Sequence, residues 1–136
     1  MARGATVVQF EIDLSDVDRG VYEPLAFSVA QHPSESGDYL CARVLAFALE
    51  QKEGLAFTSG LSSGDEPPLW VRDLTGQLQE WIDVGTPDGS RLHKANKAAD
   101  RVAVYCHKDP SSWLRLLARE KVHGAESIEL FALPPQ

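Results

Sequence analysis

Cysteine is scarce in this chain, which contains only two among its 136 residues. Cys41 and Cys106 have no neighbouring cysteine and no histidine at ligand spacing, so the sequence supports neither a disulfide framework nor a zinc site. Cys41 lies in a predicted helix and Cys106 in a predicted strand, both within apolar patterns. We therefore expect both to be buried free thiols.

Long apolar runs are missing as well. No segment approaches the roughly 18 to 20 residues that are needed to cross a bilayer. The first six residues also lack the apolar stretch of a signal peptide. The sequence therefore predicts a cytoplasmic protein without a membrane segment. A length of 136 residues suits a single domain, residues 1–136, with one hydrophobic core. It does not indicate an oligomeric state.

Several active-site motifs and an excess of positive charge are also absent. The sequence has no Gly-x-Ser-x-Gly elbow, no phosphate loop and no dinucleotide fingerprint, so these enzyme classes have no support. It carries 13 Lys and Arg against 20 Asp and Glu, a net charge of −7. This balance opposes any general attraction to nucleic acid or to an anionic membrane.

One segment departs from this acidic balance. Its basic residues are Arg91, His93, Lys94, Lys97 and Arg101. Such a run is most often the solvated face of a helix, but it is also where a polyanion could bind. If the chain binds a polyanion at this segment, we expect that partner to be nucleic acid.

The apolar pattern predicts a mixed sheet with helices on its faces, in the α/β or α+β class. Strands are expected at residues 6–13 and 25–31, an N-terminal hairpin joined by a surface loop or helical turn. A helix capped by Ser34 or Ser36 should follow, to about residue 51. The remaining predicted elements are strands at 55–58, 69–71, 78–84, 101–107 and 127–133, a helix from Asp88 or Ser90 to about 99, and a helix at 111–120.

The strands at 69–71 and 78–84 form a hairpin that carries acids. If its turn is centred near Thr75, antiparallel pairing places Asp83 opposite Glu66 or Asp65. Carboxylates of this kind suit Mg²⁺ or Mn²⁺, which could polarise a phosphate and activate water. Acids at strand ends are also common as plain solubilising residues, and both interpretations stay open at this point.

Several short segments together resemble the YaeQ family of bacterial proteins, in the same order and over nearly the whole chain. They are Ser15-Asp16-Val17-Asp18-Arg19, Ala30-Gln31-His32-Pro33-Ser34-Glu35, Gly60-Leu61-Ser62, Asp65-Glu66-Pro67, Leu74-Thr75-Gly76, Trp81-Ile82-Asp83-Val84-Gly85, Lys94-Ala95 and Ala99-Asp100-Arg101. The resemblance implies a variant of the PD-(D/E)XK nuclease fold, with a helix before a three-stranded acid-bearing unit, then a helix and a further strand. Because family members usually continue past Leu133, we expect a short or C-terminally truncated member.

The resemblance also implies roles for individual residues. Glu35 would be the helix acid of a Mg²⁺ or Mn²⁺ site, Asp65 or Glu66 the first strand acid, and Asp83 the second. The family of nucleases places a lysine two residues after the last acid, whereas this chain has Gly85. Lys94 from the following helix would take over that catalytic role beside Asp83 and Glu66. The residues implied to bind substrate are Gln31, Ser34, Arg91 and Lys97.

Three hypotheses for the function follow. The first is a Mg²⁺-dependent, nuclease-like phosphodiesterase. The second is a catalytically degenerate nuclease fold that serves as a nucleic-acid or protein interaction module in transcription, which the missing lysine and the negative net charge favour. The third is a purely structural or assembly protein, which would bind neither an ion nor nucleic acid.

Overall fold

The computed structural model of the protein describes residues 6–58, 66–120 and 125–133. Within these residues, strands and helices follow one another in the predicted order, and the mixed α+β class is confirmed. The strands are β1 (Thr6–Asp16), β2 (Val21–Gln31), β3 (Leu55–Phe57), β4 (Leu69–Arg72), β5 (Leu78–Val84), β6 (Arg101–Cys106) and β7 (Glu129–Ala132). The helices are α1 (Gly37–Leu49), α2 (Gly89–Ala98) and α3 (Ser111–Arg119), and a 3₁₀ turn (Ala125–Ser127) precedes β7.

The strands form two sheets. Among the described residues, β1 and β2 pair with each other alone, and the other five strands lie in the order β3-β4-β5-β6-β7. β3, β4 and β5 are antiparallel neighbours, whereas β5, β6 and β7 run parallel. Parallel strands need a crossover connection, which α2 and α3 provide. As a result, residues 83–85 at the end of β5 and 106–108 at the end of β6 lie at one edge of the sheet, called here the carboxyl edge.

The N-terminal hairpin is longer than predicted. The expected loop at residues 14–24 is wrong, because β1 and β2 continue to Asp16 and Val21 and a short turn joins them. Proline generally favours a loop, but Pro24 stands opposite Asp13 at an exposed position of a two-stranded ribbon, where a missing N–H is tolerated. Gly20 closes the turn with a positive φ of 66°.

Helix α1 lies between the two sheets. Ala42 and Ala46 pack on the five-stranded sheet, whereas Leu40 and Val44 pack on the hairpin. The third side of the helix is exposed and carries Cys41, so the prediction that Cys41 is buried is wrong. Cys106 is buried, as predicted. The helix begins after Ser36, whose side chain accepts a hydrogen bond from the backbone N–H of Tyr39.

Helices α2 and α3 cover the opposite face of the five-stranded sheet. Leu92 of α2 and Trp113 of α3 pack with Trp81 and Val104 in a second core cluster. The indole of Trp113 also donates a hydrogen bond of 2.6 Å to the carbonyl of Pro87, which fixes the chain that enters α2. None of the helices in the described parts of the chain is long and apolar enough to cross a membrane.

The pairing of β4 with β5 differs from the predicted register. Leu69 lies opposite Ile82 and Trp70 opposite Trp81, so an extension of this pairing brings Asp83 level with residue 68, not with Glu66 or Asp65. The reason is an irregularity beside Val71, where one residue of β5 is skipped. The expected meeting of acids by direct pairing is therefore wrong, although both strand ends still lie at the carboxyl edge.

Candidate functional site at the carboxyl edge

Asp83 is a buried acid at the carboxyl edge, with 3% of its surface exposed. Alternation along β5 turns it to the same face as Trp81, under α2. Its Oδ2 accepts hydrogen bonds from Trp81 Nε1 at 3.1 Å and from Arg91 Nε at 2.7 Å. Its Oδ1 accepts one from the backbone N–H of Val84. These three donors fix the orientation of the carboxylate.

Arg91 joins Asp83 to the neighbouring strand. Besides its bond to Asp83, its Nη2 donates to the backbone carbonyl of Glu66 at 2.8 Å. Helix α2 sets this position, because Asp88 caps the helix and accepts from the backbone N–H of Arg91. Arg91 thus lies between the end of β5 and the segment before β4. The sequence had indicated Arg91 only as a substrate-binding residue.

Gly85 ends β5 in a conformation that favours glycine. Its φ is +97°, and its N–H donates to the carbonyl of Tyr105 at 2.9 Å. A side chain at this position would be strained, because L residues rarely adopt such a φ. The backbone therefore gives a physical reason why this chain lacks a lysine two residues after Asp83.

Of the two candidates for the first strand acid, Glu66 lies among the described residues and Asp65 does not. Glu66 is half-buried at the carboxyl edge and contacts Arg91 through its carbonyl. Asp65, the other candidate for the first strand acid, lies outside the described residues. The structure therefore brings together Asp83, Arg91 and Glu66 from the predicted set.

Glu35 lies just before α1 and has its own partner. Arg43 Nη2 approaches its carboxylate at 2.9 Å, and both side chains are almost fully buried. The backbone N–H of His32 also donates to it at 3.2 Å. Burial raises the pKa of Tyr39, and the charges of Glu35 and Asp83 both raise it further, so the two carboxylates lie within electrostatic reach of the same phenol. The described contacts tie Glu35 to Arg43 and Asp83 to Arg91.

Gln31 and Ser34 shape the turn that leads into α1. The amide of Gln31 donates to the carbonyl of Glu35 at 3.1 Å. The hydroxyl of Ser34 lies 2.7 Å from Nδ1 of His32. These bonds stabilise the turn, and the predicted substrate-binding role of both residues stays a prediction.

Tyr39 and His107 complete the carboxyl edge, and neither was found from the sequence. Burial raises the pKa of Tyr39 to about 12, and the charge of Asp83 adds to this rise. The His107 ring meets that of Tyr39 edge-on, with centroids 6.1 Å apart. Burial lowers the pKa of His107, and the neighbouring Lys108 lowers it further, so its neutral form is favoured. A tyrosine near a strand-end acid carries no distinctive sequence signal.

Lys94 and Lys97 project from α2 and are exposed. Leu92 and Ala95 on the other flank of the helix are buried against the sheet. A cavity of about 320 Å³ opens between the start of α2 and α3, with Asp88, Lys108 and Trp113 in its lining. The lining of this cavity also includes Asp109 and Glu120, so it is more acidic than the exposed side of α2.

The donor set of the described residues does not fit a divalent metal ion. In residues 6–58, 66–120 and 125–133, no three His, Cys, Asp or Glu side chains are grouped so that they could hold one. Asp83 and Glu35, the two acids expected to share the ion, are each paired with an arginine. The Mg²⁺ or Mn²⁺ expectation, which also includes Asp65, stays a prediction.

A second polar network lies at the opposite edge of the sheet, and no pattern in the sequence indicates it. Arg101 Nη1 lies 2.6 Å from Glu50 and 2.5 Å from Glu80, and its Nε contacts Glu129. Lys52 adds a bond of 2.5 Å to Glu80. These hydrogen bonds lower the pKa of Glu80 although its burial works against them. A cavity of about 620 Å³ adjoins Lys52, Glu80 and Arg101.

A family model described as YaeQ protein matches residues 1–136 of this sequence. The chain belongs to the YaeQ family. A Salmonella typhi protein named "Uncharacterized protein YaeQ" is 36% identical to this chain over 107 residues, which are 79% of this chain. The match covers 59% of that relative, so the chain spans less than two thirds of its length.

Two solved YaeQ structures share this architecture. The crystal structure of YaeQ from Pseudomonas syringae matches with a TM-score of 0.87 at 35% identity, over 96% of this chain and 72% of that one. The YaeQ structure from Xanthomonas axonopodis pv. citri matches with a TM-score of 0.84 at 39% identity, over 97% and 75%. The expected family is confirmed.

Proposed function

We propose that this YaeQ chain is a nuclease-like domain that binds nucleic acid through α2, without a metal-dependent active site. The order of elements supports the nuclease-like part of this proposal. From α1 to β6 the chain runs through a helix, three antiparallel strands, a helix and a parallel strand. That is the order which the resemblance to the PD-(D/E)XK fold implies.

The main support for the proposal is that Arg91 anchors α2 to the ends of two strands. Arg91, Lys94 and Lys97 are spaced three residues apart and therefore follow one flank of the helix. Asp83 and the Glu66 carbonyl hold the first of them, while the two lysines are exposed. The sequence of α2 contains no Asp or Glu, although the whole chain has a net charge of −7. Such a basic flank suits the phosphates of a nucleic acid.

Two further features support binding rather than cleavage. Gly85 has a backbone that disfavours the lysine which would activate water. Asp83 and Glu35 are both neutralised by arginines, so neither lacks a cationic partner. The contacts between phosphates and α2 would be sequence-independent, because lysine contacts to the backbone do not read bases.

The experiment is an anisotropy titration of fluorescent single- and double-stranded oligonucleotides in EDTA, over a series of salt concentrations. The logarithm of the binding constant should fall linearly with the logarithm of the salt concentration. In the double variant Lys94→Gln with Lys97→Gln, that slope should be smaller in magnitude by about 1.4 to 1.8, since each lost phosphate contact contributes about 0.7 to 0.9.

Arg19→Gln is the matched control. It removes one positive charge, against two in the double variant, and Arg19 lies in the turn of the N-terminal hairpin, where it contacts Asp16 and the Gln51 carbonyl. Its slope should equal that of the wild type. Absence of salt-dependent binding by the wild type would contradict the proposed function.

A Mg²⁺-dependent phosphodiesterase is the second candidate. The observation in its favour is that Asp83 and Glu66 both come within reach of one cation, the guanidinium of Arg91. A cleavage assay with Mn²⁺ on mixed nucleic acids tests it, with Lys94→Ala and Asp83→Asn as variants. Cleavage that both variants lose would support this candidate over the first.

A further inference from the structure

Trp70 differs from the other two tryptophans in its exposure. Trp81 and Trp113 are only 3% and 7% exposed, and both belong to the core cluster under α2 and α3. Trp70 on β4 is partly exposed, and among the described residues it is not a member of that cluster. Its neighbours Leu69 and Val71 are buried under α1. Alternation along β4 therefore turns Trp70 to the other face of the sheet, which carries α2.

Arg72 forms a stacked pair with Trp70. Its guanidinium carbon lies over the Trp70 ring, 4.1 Å from the ring centre, in a cation–π contact. The turn after β4 holds the guanidinium in place, because Arg72 Nη1 donates to the carbonyl of Gly76 at 2.5 Å. Asp73 fixes that turn, since its carboxylate accepts hydrogen bonds from two backbone N–H groups within it. Arg72 is exposed, so the pair presents a flat, positively charged surface to solvent.

The basic flank of α2 borders the strip of sheet on which this pair lies. Arg91 extends from α2 over the Trp81 ring, 5.5 Å from its centre, and reaches the carbonyl of Glu66 just before β4. This contact shows that α2 turns its Arg91 side towards β4. Lys94 follows three residues later on the same flank. The phosphate-binding flank and the stacked pair therefore face the same strip of surface.

An aromatic ring beside a row of cations has the chemistry that binds single-stranded nucleic acid. The bases of a duplex already stack on one another, whereas an unpaired base can lay its face on an indole or on a guanidinium plane. Lysines and arginines next to such a platform bind the phosphates of the same strand. The positive charge of Arg72, Arg91 and Lys94 complements these phosphates in a chain that is otherwise acidic.

We propose that the stacked pair of Trp70 and Arg72 binds an unpaired base of a single-stranded nucleic acid whose phosphates lie on α2. The inference rests on the proposed function and deepens it, because it names the class of nucleic acid that the site takes. Stacking is possible with every base, so the preference is for single strands and not for a sequence.

The test is an anisotropy titration in EDTA with three fluorescent oligonucleotides of about 12 nucleotides, a length that covers one binding site of this kind. They are a mixed-sequence single strand, a strand of the same length whose sites are abasic, and the duplex of the first strand. The abasic strand carries the same phosphates but no bases. The wild type should bind the intact strand about tenfold tighter than either of the others, since one stacked base contributes a factor of this order.

Trp70→Leu should bind the intact strand about tenfold more weakly than the wild type does and should no longer distinguish it from the abasic strand. Its salt slope should equal that of the wild type, because no charge is lost. This separates stacking from the phosphate contacts of Lys94 and Lys97, whose loss lowers the slope. Tyr22→Leu is the matched control, since it removes an exposed aromatic ring from the N-terminal hairpin and should bind like the wild type.

Tryptophan fluorescence provides a second readout, which also serves if Trp70→Leu does not fold. The intact strand should quench the emission of the wild type but not that of Trp70→Phe, because Trp81 and Trp113 are buried. The inference is overturned if the wild type binds the intact and abasic strands equally, or if folded Trp70→Leu keeps the full preference. Equal, salt-dependent binding of both strands would leave the proposed function standing, whereas no binding of any oligonucleotide would contradict both proposals.

Discussion

Replacing Arg101 by methionine should be among the most destabilising single changes in this protein. Arg101 bonds to Glu50 at the end of α1 and to Glu80 on β5, and it also contacts Glu129 on β7. Glu50 and Glu80 are only 8% and 5% exposed. Methionine preserves much of the length and apolar contact of the side chain but removes the charge, so two buried carboxylates lose their shared cation.

The magnitude follows from the burial of the partners. Breaking a buried ion pair by removing one member costs about 3 to 5 kcal/mol. We expect a value near the lower end, about 3 kcal/mol, because Lys52 still bonds to Glu80 and the hydroxyl of Tyr105 still donates to Glu50. For a chain of this size, such a loss lowers the melting temperature by roughly 10 °C.

Urea unfolding followed by tryptophan fluorescence measures this loss. Glu129→Gln is the control within the same network, because Glu129 is 47% exposed and an exposed partner contributes no more than about 1 kcal/mol. Adding Glu50→Gln and Glu80→Gln to Arg101→Met should recover part of the lost stability, since no buried charge then remains unpaired. A loss below about 1 kcal/mol in Arg101→Met would refute the reasoning.

Three further predictions concern single residues at the two edges of the sheet. Gly85→Lys should lower the free energy of unfolding by about 1 to 2 kcal/mol in a urea titration, because φ is +97° there, whereas the exposed Lys97→Gln should leave it nearly unchanged. Glu80 has a lowered pKa in the folded state, so its charged form stabilises the protein above the ordinary pKa of 4.5. That stabilisation is lost as the pH falls below 4.5. In thermal melts at acid pH, Glu80→Gln should therefore lose less stability than the wild type. His107 has a pKa below its ordinary 6.5, so the unfolded state takes up the proton first and stability should fall as the pH drops through 6.5, less so in His107→Gln. Equal pH slopes in wild type and variant would contradict either of the last two predictions.

The order of the elements could be predicted because each follows from a local pattern. Alternating residues such as Val8, Phe10 and Ile12 indicate a strand, and the polar residues Ser36 and Asp88 mark the starts of α1 and α2. The predicted loop at residues 14–24 was wrong, because the local sequence pattern there is ambiguous. A proline such as Pro24 favours a loop, but the two-stranded ribbon gives it an exposed position opposite Asp13.

Long-range features could not be predicted in the same way. The irregularity near Val71 shifts the pairing of β4 with β5, and no residue there signals it. Arg91 was visible as a basic residue, but its bonds to Asp83 and Glu66 depend on how α2 returns to the sheet. The network around Arg101 likewise joins residues that are far apart in sequence. The hairpin pattern and the family resemblance both indicated Asp83 and Glu66, whereas the pairing of Asp83 with Arg91 and of Glu35 with Arg43 was found only in the structure.

The central claim is that α2 at the carboxyl edge binds nucleic acid without a metal ion. A ¹⁵N–¹H NMR titration of the protein with a short oligonucleotide in EDTA tests it most directly, because it reports both whether binding occurs and where. The account predicts shifts concentrated in α2 (Gly89–Ala98) and at residues 83–85, and smaller shifts in the variant with Lys94→Gln and Lys97→Gln. Shifts confined to the N-terminal hairpin, or none at all, would contradict it.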